Sequence, residues 1–103
     1  MNVKEMVRLT AKAGRGDELG PRLQRGLTVQ AGDPGCVSVS LFRSVERPDE
    51  YLAELVWTSV AAHHAWRDKG RDLWRERVGW EIIEGGPQGL GHFTFVADVK
   101  TER

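Results

Sequence analysis

Hydrophobic periodicity switches repeatedly between two and about 3.6 residues along this chain, and the order of those switches leaves few folds open. Residues 3–12, VKEMVRLTAK, alternate loosely between apolar and polar and carry two Val and a Thr, so they read as a first strand. Gly14-Arg15-Gly16 breaks the run. Asp17 is expected to cap a helix over residues 17–31, with Pro21 in its first turn. Leu19, Leu23 and Leu27 lie at i, i+4, i+8 and form one apolar stripe. Gly20 and Gly26 each weaken that helix by about 1 kcal/mol, so packing must hold it.

Gly32-Asp33-Pro34-Gly35 stops the helix and turns the chain. CVSVSLFRS then sets Val37, Val39 and Leu41 on one face of a second strand, with Ser38, Ser40 and Phe42 on the other. A turn at residues 46–49 leads into YLAELVWTS, a third strand apolar on both faces. Ser59 suits the cap of a second helix whose apolar side is Ala61, Ala62, Ala65 and Trp66. Gly70 is expected to interrupt or bend it before RDLWRERVGW continues through Leu73, Trp74 and Val78. Residues 85–89 read as a flexible loop, and HFTFVADVK as a fourth strand with Phe93, Phe95, Ala97 and Val99 on one face.

The order β-α-β-β-α-β is the ferredoxin-like α+β arrangement, a four-stranded antiparallel sheet with helices on one face. Residues 1–103 make a single domain of this kind. The second face of such a sheet is left bare, and here it carries apolar and small residues. Pairing with another copy covers it most simply, so a homodimer is expected.

Fifteen basic and fifteen acidic residues cancel, which argues against general nucleic-acid binding. Cys36 is the only cysteine, so no internal disulfide can form, and its apolar neighbour Val37 suggests a buried thiol. The N-terminus has no continuous apolar stretch and no segment approaches membrane-spanning length. The expectation is a soluble cytoplasmic protein with no membrane partner.

Pro34-Gly35-Cys36, Ser38, Leu41, Arg43-Ser44, Pro48, Tyr51-Leu52 and Trp57-Thr58-Ser59 resemble the central signature of the antibiotic biosynthesis monooxygenase family. The flanking elements come in the family's order and length, so the resemblance spans nearly the whole chain. It implies a dimeric α+β barrel with one pocket per subunit between sheet and helices. It does not fix the chemistry, because the superfamily includes cofactor-free oxygenases of aromatic polyketides, heme-degrading enzymes, isomerases and members without known activity.

Departures from the family pattern narrow the choice. The cofactor-free oxygenases often place Asn just before an Arg on the first strand, where this chain has Val7 before Arg8. They carry a Trp at the end of the third strand, matched by Trp57, and many have Glu two residues earlier, where Leu55 stands. The heme-degrading branch has a Trp on the second long helix, which Trp66 fits, and an axial His about nine residues on, at Arg75. Arg stays protonated and cannot ligate iron, so heme would need His63 or His64 from another turn.

The resemblance implies a small cofactor-independent oxygenase of an aromatic polyketide or quinol, with no cofactor. Trp57, Trp66 and Trp74 would hold a flat ring system, with Ser40 and Phe42 adding to the lining. Arg8 or Arg43 would stabilise an anion, and His63 or His64 would take a proton. Adjacent helical positions point about 100° apart, so His63 and His64 are not expected to share a metal, and no metal site is expected. His92, at the start of the fourth strand, is ambiguous in the same way. Arg67, Arg71, Arg75 and Arg77 alternate with acids and read as a solvated helix face. The alternatives are a non-catalytic dimeric ligand-binding or accessory protein, a cyclase or isomerase, and a heme-binding member of the superfamily.

Overall fold

Three strands of eight residues, Val3–Thr10 (β1), Cys36–Arg43 (β2) and Glu50–Trp57 (β3), pair antiparallel in the order β2-β3-β1, and a shorter β4, Gln88–Phe93, adds to the free edge of β1. The structure, a computed structural model, describes residues 1–102. Helices Gly16–Ala31 (α1) and Val60–Val78 (α2) cover one face of the sheet, and a 3₁₀ turn at Trp80–Ile82 leads back toward β4. The β-α-β-β-α-β order is the ferredoxin-like α+β fold read from the periodicities. No described helix is long and apolar enough to cross a membrane.

The core lies between sheet and helices. Tyr51, Ala53, Leu55 and Trp57 alternate inward along β3 and meet Leu19, Leu23 and Leu27 of α1 with Trp66, Trp74 and Val78 of α2. Gly26 lets the helices approach, because a Cβ there would sit 2.8 Å from the Trp74 Nε1. Its propensity cost is thus offset by packing, as the sequence predicts. α1 begins at Gly16, so Asp17 lies inside its first turn rather than at the cap. Asp49, far along the chain, accepts instead from the backbone N–H of Gly16 at 2.9 Å and of Gly14 at 3.0 Å. Pro21 accordingly stands in the second turn. Ser59 caps α2 as expected, its Oγ accepting from the Ala62 N–H at 3.0 Å.

Four local expectations change. α2 runs unbroken through Gly70, because the Trp66 ring lies over it; a Cβ there would be 2.7 Å from that ring. In β2 a bulge between Cys36 and Ser38 throws Val37 outward, leaving Cys36, Val39 and Leu41 toward the core. The thiol of Cys36 is only partly covered, yet desolvation first and then the charge of Asp33 push its pKa up. The fourth strand lies at Gln88–Phe93 instead of residues 92–100. Phe93 pairs with Lys4 near the start of β1, so beyond it the sheet edge offers no partner among the described residues. Phe95, Val96 and Val99 are 76–89% exposed as a result.

Candidate active site

β1 alternates Glu5, Val7 and Leu9 toward the helices, so a carboxylate stands in a row of apolar residues. β4 sets His92 directly opposite Glu5, and a bulge then carries Gly89 opposite Val7, where an unbroken register would put Leu90. Gly91, at φ 105°, supplies the left-handed backbone the bulge needs. Gly89 adds no side chain at this point, and a cavity of about 440 Å³ lies between sheet and helices. Trp66 and Trp74 of α2 and Trp80 of the 3₁₀ turn wall it, Val7, Leu55 and Ala53 form its floor, and Arg67 and Arg71 stand on its α2 side.

One end of the cavity is polar. The Trp57 Nε1–H donates to Glu5 Oε1 at 3.0 Å, and His63 Nε2 lies 3.1 Å from Glu5 Oε2. His63 Nδ1 lies 2.7 Å from His92 Nε2. Trp57 is fully buried and stacks on the His63 ring at 5.2 Å, which fixes the imidazole plane. Both His63 and Glu5 are nearly buried, with side-chain exposures of 10% and 13%. Trp57, Glu5, His63 and His92 thus form a continuous polar chain that ends at the cavity. Partial burial, then the neighbouring His63, hold the His92 pKa below its ordinary value, with Glu5 opposing them.

The fold sorts the candidates read from the sequence into two groups. Trp66, Trp74 and His63 line the cavity, and Trp57 supports it from behind through Glu5 and the His63 ring. Arg8, Ser40 and Phe42 do not reach it. Arg8 lies between the inward Val7 and Leu9, so its side chain leaves the opposite face and pairs with Glu50 at 3.5 Å. Ser40 and Phe42 pair with Glu54 and Leu52 on that same open face. Arg43 ends β2 beside the start of α1, where it binds Asp17 at 2.8 Å and the Pro48 carbonyl at 2.6 Å.

His64 stands beside the cavity with its ring centroid 5.6 Å from that of His63 and 5.8 Å from that of His92. The expected divergence of the two adjacent histidines does not hold at their ring nitrogens. One nitrogen from each of His63, His64 and His92 lies within 4.8 Å of the others. The backbone directions differ, but imidazoles are long enough to converge on a third ring presented by β4. Arg67 and Arg71 reach the cavity, although the alternation of charges reads as a solvated face. Glu5 had no assigned role; its signal in the sequence is an acid at an inward position between Val3 and Val7.

The family model for antibiotic biosynthesis monooxygenases matches residues 2–71. No curated protein matches the chain. A Bordetella bronchiseptica protein assigned to antibiotic biosynthesis monooxygenases superimposes with a TM-score of 0.82 at 26% identity, over 93% of this chain and 98% of that one. SnoaB, a cofactor-independent oxygenase from Streptomyces nogalater, superimposes with a TM-score of 0.76 at 20% identity, over 97% and 98%. Rv0793 from Mycobacterium tuberculosis does so with a TM-score of 0.75 at 19% identity, over 97% and 100%. The last two likenesses concern the fold alone, and the family match reaches from β1 through the middle of α2, taking in Glu5, Trp57 and His63. The chain belongs to the antibiotic biosynthesis monooxygenase family.

Proposed function

We propose that the protein is a small cofactor-independent monooxygenase acting on an aromatic polyketide or quinol-type substrate, with Glu5, His63 and His92 as its proton-accepting chain. The observation that carries this reading is the placement of that chain at the end of a cavity walled by three tryptophans. Such walls suit a flat ring system.

With both imidazoles neutral, one pattern of donors and acceptors satisfies every contact. Glu5 accepts from the Trp57 Nε1–H and the His63 Nε2–H, which leaves a lone pair on His63 Nδ1 to accept the His92 Nε2–H. His92 Nδ1 is then free to take a proton from a phenol or anthrone. As it does so, its Nε2 proton passes to His63 Nδ1, and the Glu5 carboxylate balances the charge. Arg67 and Arg71 take the anion-stabilising role expected of Arg8 and Arg43. The substrate anion gives one electron to O₂, and the radical and superoxide combine into a new C–O bond. The peroxide takes up the proton and loses water, leaving a quinone carbonyl. One O₂ is consumed; one of its atoms enters the product and the other leaves as water.

Oxygen uptake with a panel of anthrones and naphthols, in buffer stripped of metal and flavin, tests the reading. Wild type should consume one O₂ per quinone formed, and His63→Gln should lose turnover while keeping its circular dichroism. Binding of the panel without oxygen uptake would overturn the oxygenase reading in favour of a ligand-binding protein.

The same proposal includes a homodimer. Met6, Phe42, Leu52, Val56 and Phe93 share the sheet face away from the helices, with Phe42 50% and Phe93 47% exposed, and the exposed apolar residues Phe95, Val96 and Val99 lie beyond them. Sedimentation equilibrium at micromolar concentration should return about twice the chain mass. A folded monomer would refute it.

A further inference from the structure

Two imidazole nitrogens held 2.7 Å apart need a proton or a cation between them, and here a third imidazole stands close by. His63 and His64 come from the start of α2 and His92 from β4, so the cluster joins elements distant in sequence. Glu5 accepts from the His63 Nε2–H, which leaves His63 Nδ1 with its lone pair toward the other two rings. A carboxylate behind a histidine is the arrangement that orients a metal-bound imidazole and raises its basicity.

We infer that His63, His64 and His92 form a binding site for one divalent transition-metal ion of the Zn²⁺ type, with Glu5 as the outer carboxylate that orients His63. Neutral imidazoles are the ligands such ions prefer. Nitrogens bound tetrahedrally at about 2.0–2.1 Å lie roughly 3.3 Å apart. The His63–His92 pair would therefore open by about 0.6 Å from its 2.7 Å, and His64 would close from within 4.8 Å. His64 is more exposed than the buried His63. Three protein ligands leave a fourth position for water, and His63 and His92 both border the cavity. Glu5 favours the added positive charge. Arg67, which already disfavours protonation of His92, opposes it. The ion occupies the place of the shared His63–His92 proton, so under the proposed chemistry it would inhibit; its binding without substrate does not depend on that chemistry.

The full chain, stripped by a chelator, is titrated with Zn²⁺ by calorimetry and with Co²⁺ by visible absorption. One ion per chain and a tetrahedral Co²⁺ spectrum are expected. His64→Ala and His92→Gln should each weaken Zn²⁺ at least tenfold, and Glu5→Gln by about 10–100-fold. Melting of the metal-free variants shows whether each is folded, and the exposed His64→Ala carries the test if His92→Gln is not. Unchanged affinity in folded His64→Ala, or no saturable Zn²⁺ binding up to millimolar concentration, overturns the inference.

Discussion

Glu5→Gln tests the polar chain while keeping the shape of the side chain. The Trp57 indole can only donate, so the amide oxygen must turn to Trp57 Nε1, and the amide NH₂ then faces His63 Nε2. His63 must move its proton to Nδ1 and donate to His92 Nε2, which pushes the His92 proton onto Nδ1. The nitrogen that was free to accept a substrate proton is now occupied. The number of hydrogen bonds is unchanged, but two charge-assisted bonds become neutral, at about 1 kcal/mol each. A buried amide also costs less to desolvate than a carboxylate, which offsets part of that loss. The net destabilisation should be about 1 kcal/mol, a fall of roughly 4–8 °C in melting temperature for a domain of this size. Turnover should fall by about 10²–10⁴-fold, the usual contribution of a positioned base. Glu5→Leu, by contrast, strands both donors at about 1–3 kcal/mol each, so fold and activity fail together. Melting curves, oxygen uptake and nitrogen-15 shifts of the imidazoles separate these outcomes. Wild-type turnover in Glu5→Gln, or a His63 that keeps its proton on Nε2, would refute the argument.

Two further outcomes follow from the same geometry. Because the folded protein depresses the His92 pKa, the unfolded chain binds that proton more readily; the stability involved is present above about pH 6.5 and is lost as the pH falls below it. Melting temperature measured downward from neutral pH should drop in this window, and His92→Gln should flatten the drop. Gly26→Ala should destabilise despite a helix-propensity gain of about 1 kcal/mol, because the new Cβ lies 2.8 Å from Trp74 Nε1 and overpacking costs about 1–3 kcal/mol. Urea unfolding decides it, and a more stable variant would show that the α1–α2 contact is loose.

Periodicity determined the element order by itself, since each strand or helix buries the face its own side chains define. The stripe Leu19, Leu23, Leu27 and the alternation through Tyr51, Ala53, Leu55 and Trp57 are local facts, and both became core. The spaced residues from Pro34 to Ser59 sufficed for the family. Contacts across elements were not legible in the same way. Arg8 and Glu5 occupy one strand, and only the pairing partner and the covered face decide that Glu5 meets the cavity and Arg8 does not. The end of β4 is set by where β1 starts, which no reading of HFTFVADVK alone contains. A bulge of one residue placed Gly89 at the cavity where an unbroken register would have put Leu90, and it left His92 opposite Glu5. Register has a period of two, so a slip of one residue exchanges the faces of a strand; the polar chain of Trp57, Glu5, His63 and His92 exists only because tertiary structure settled that choice.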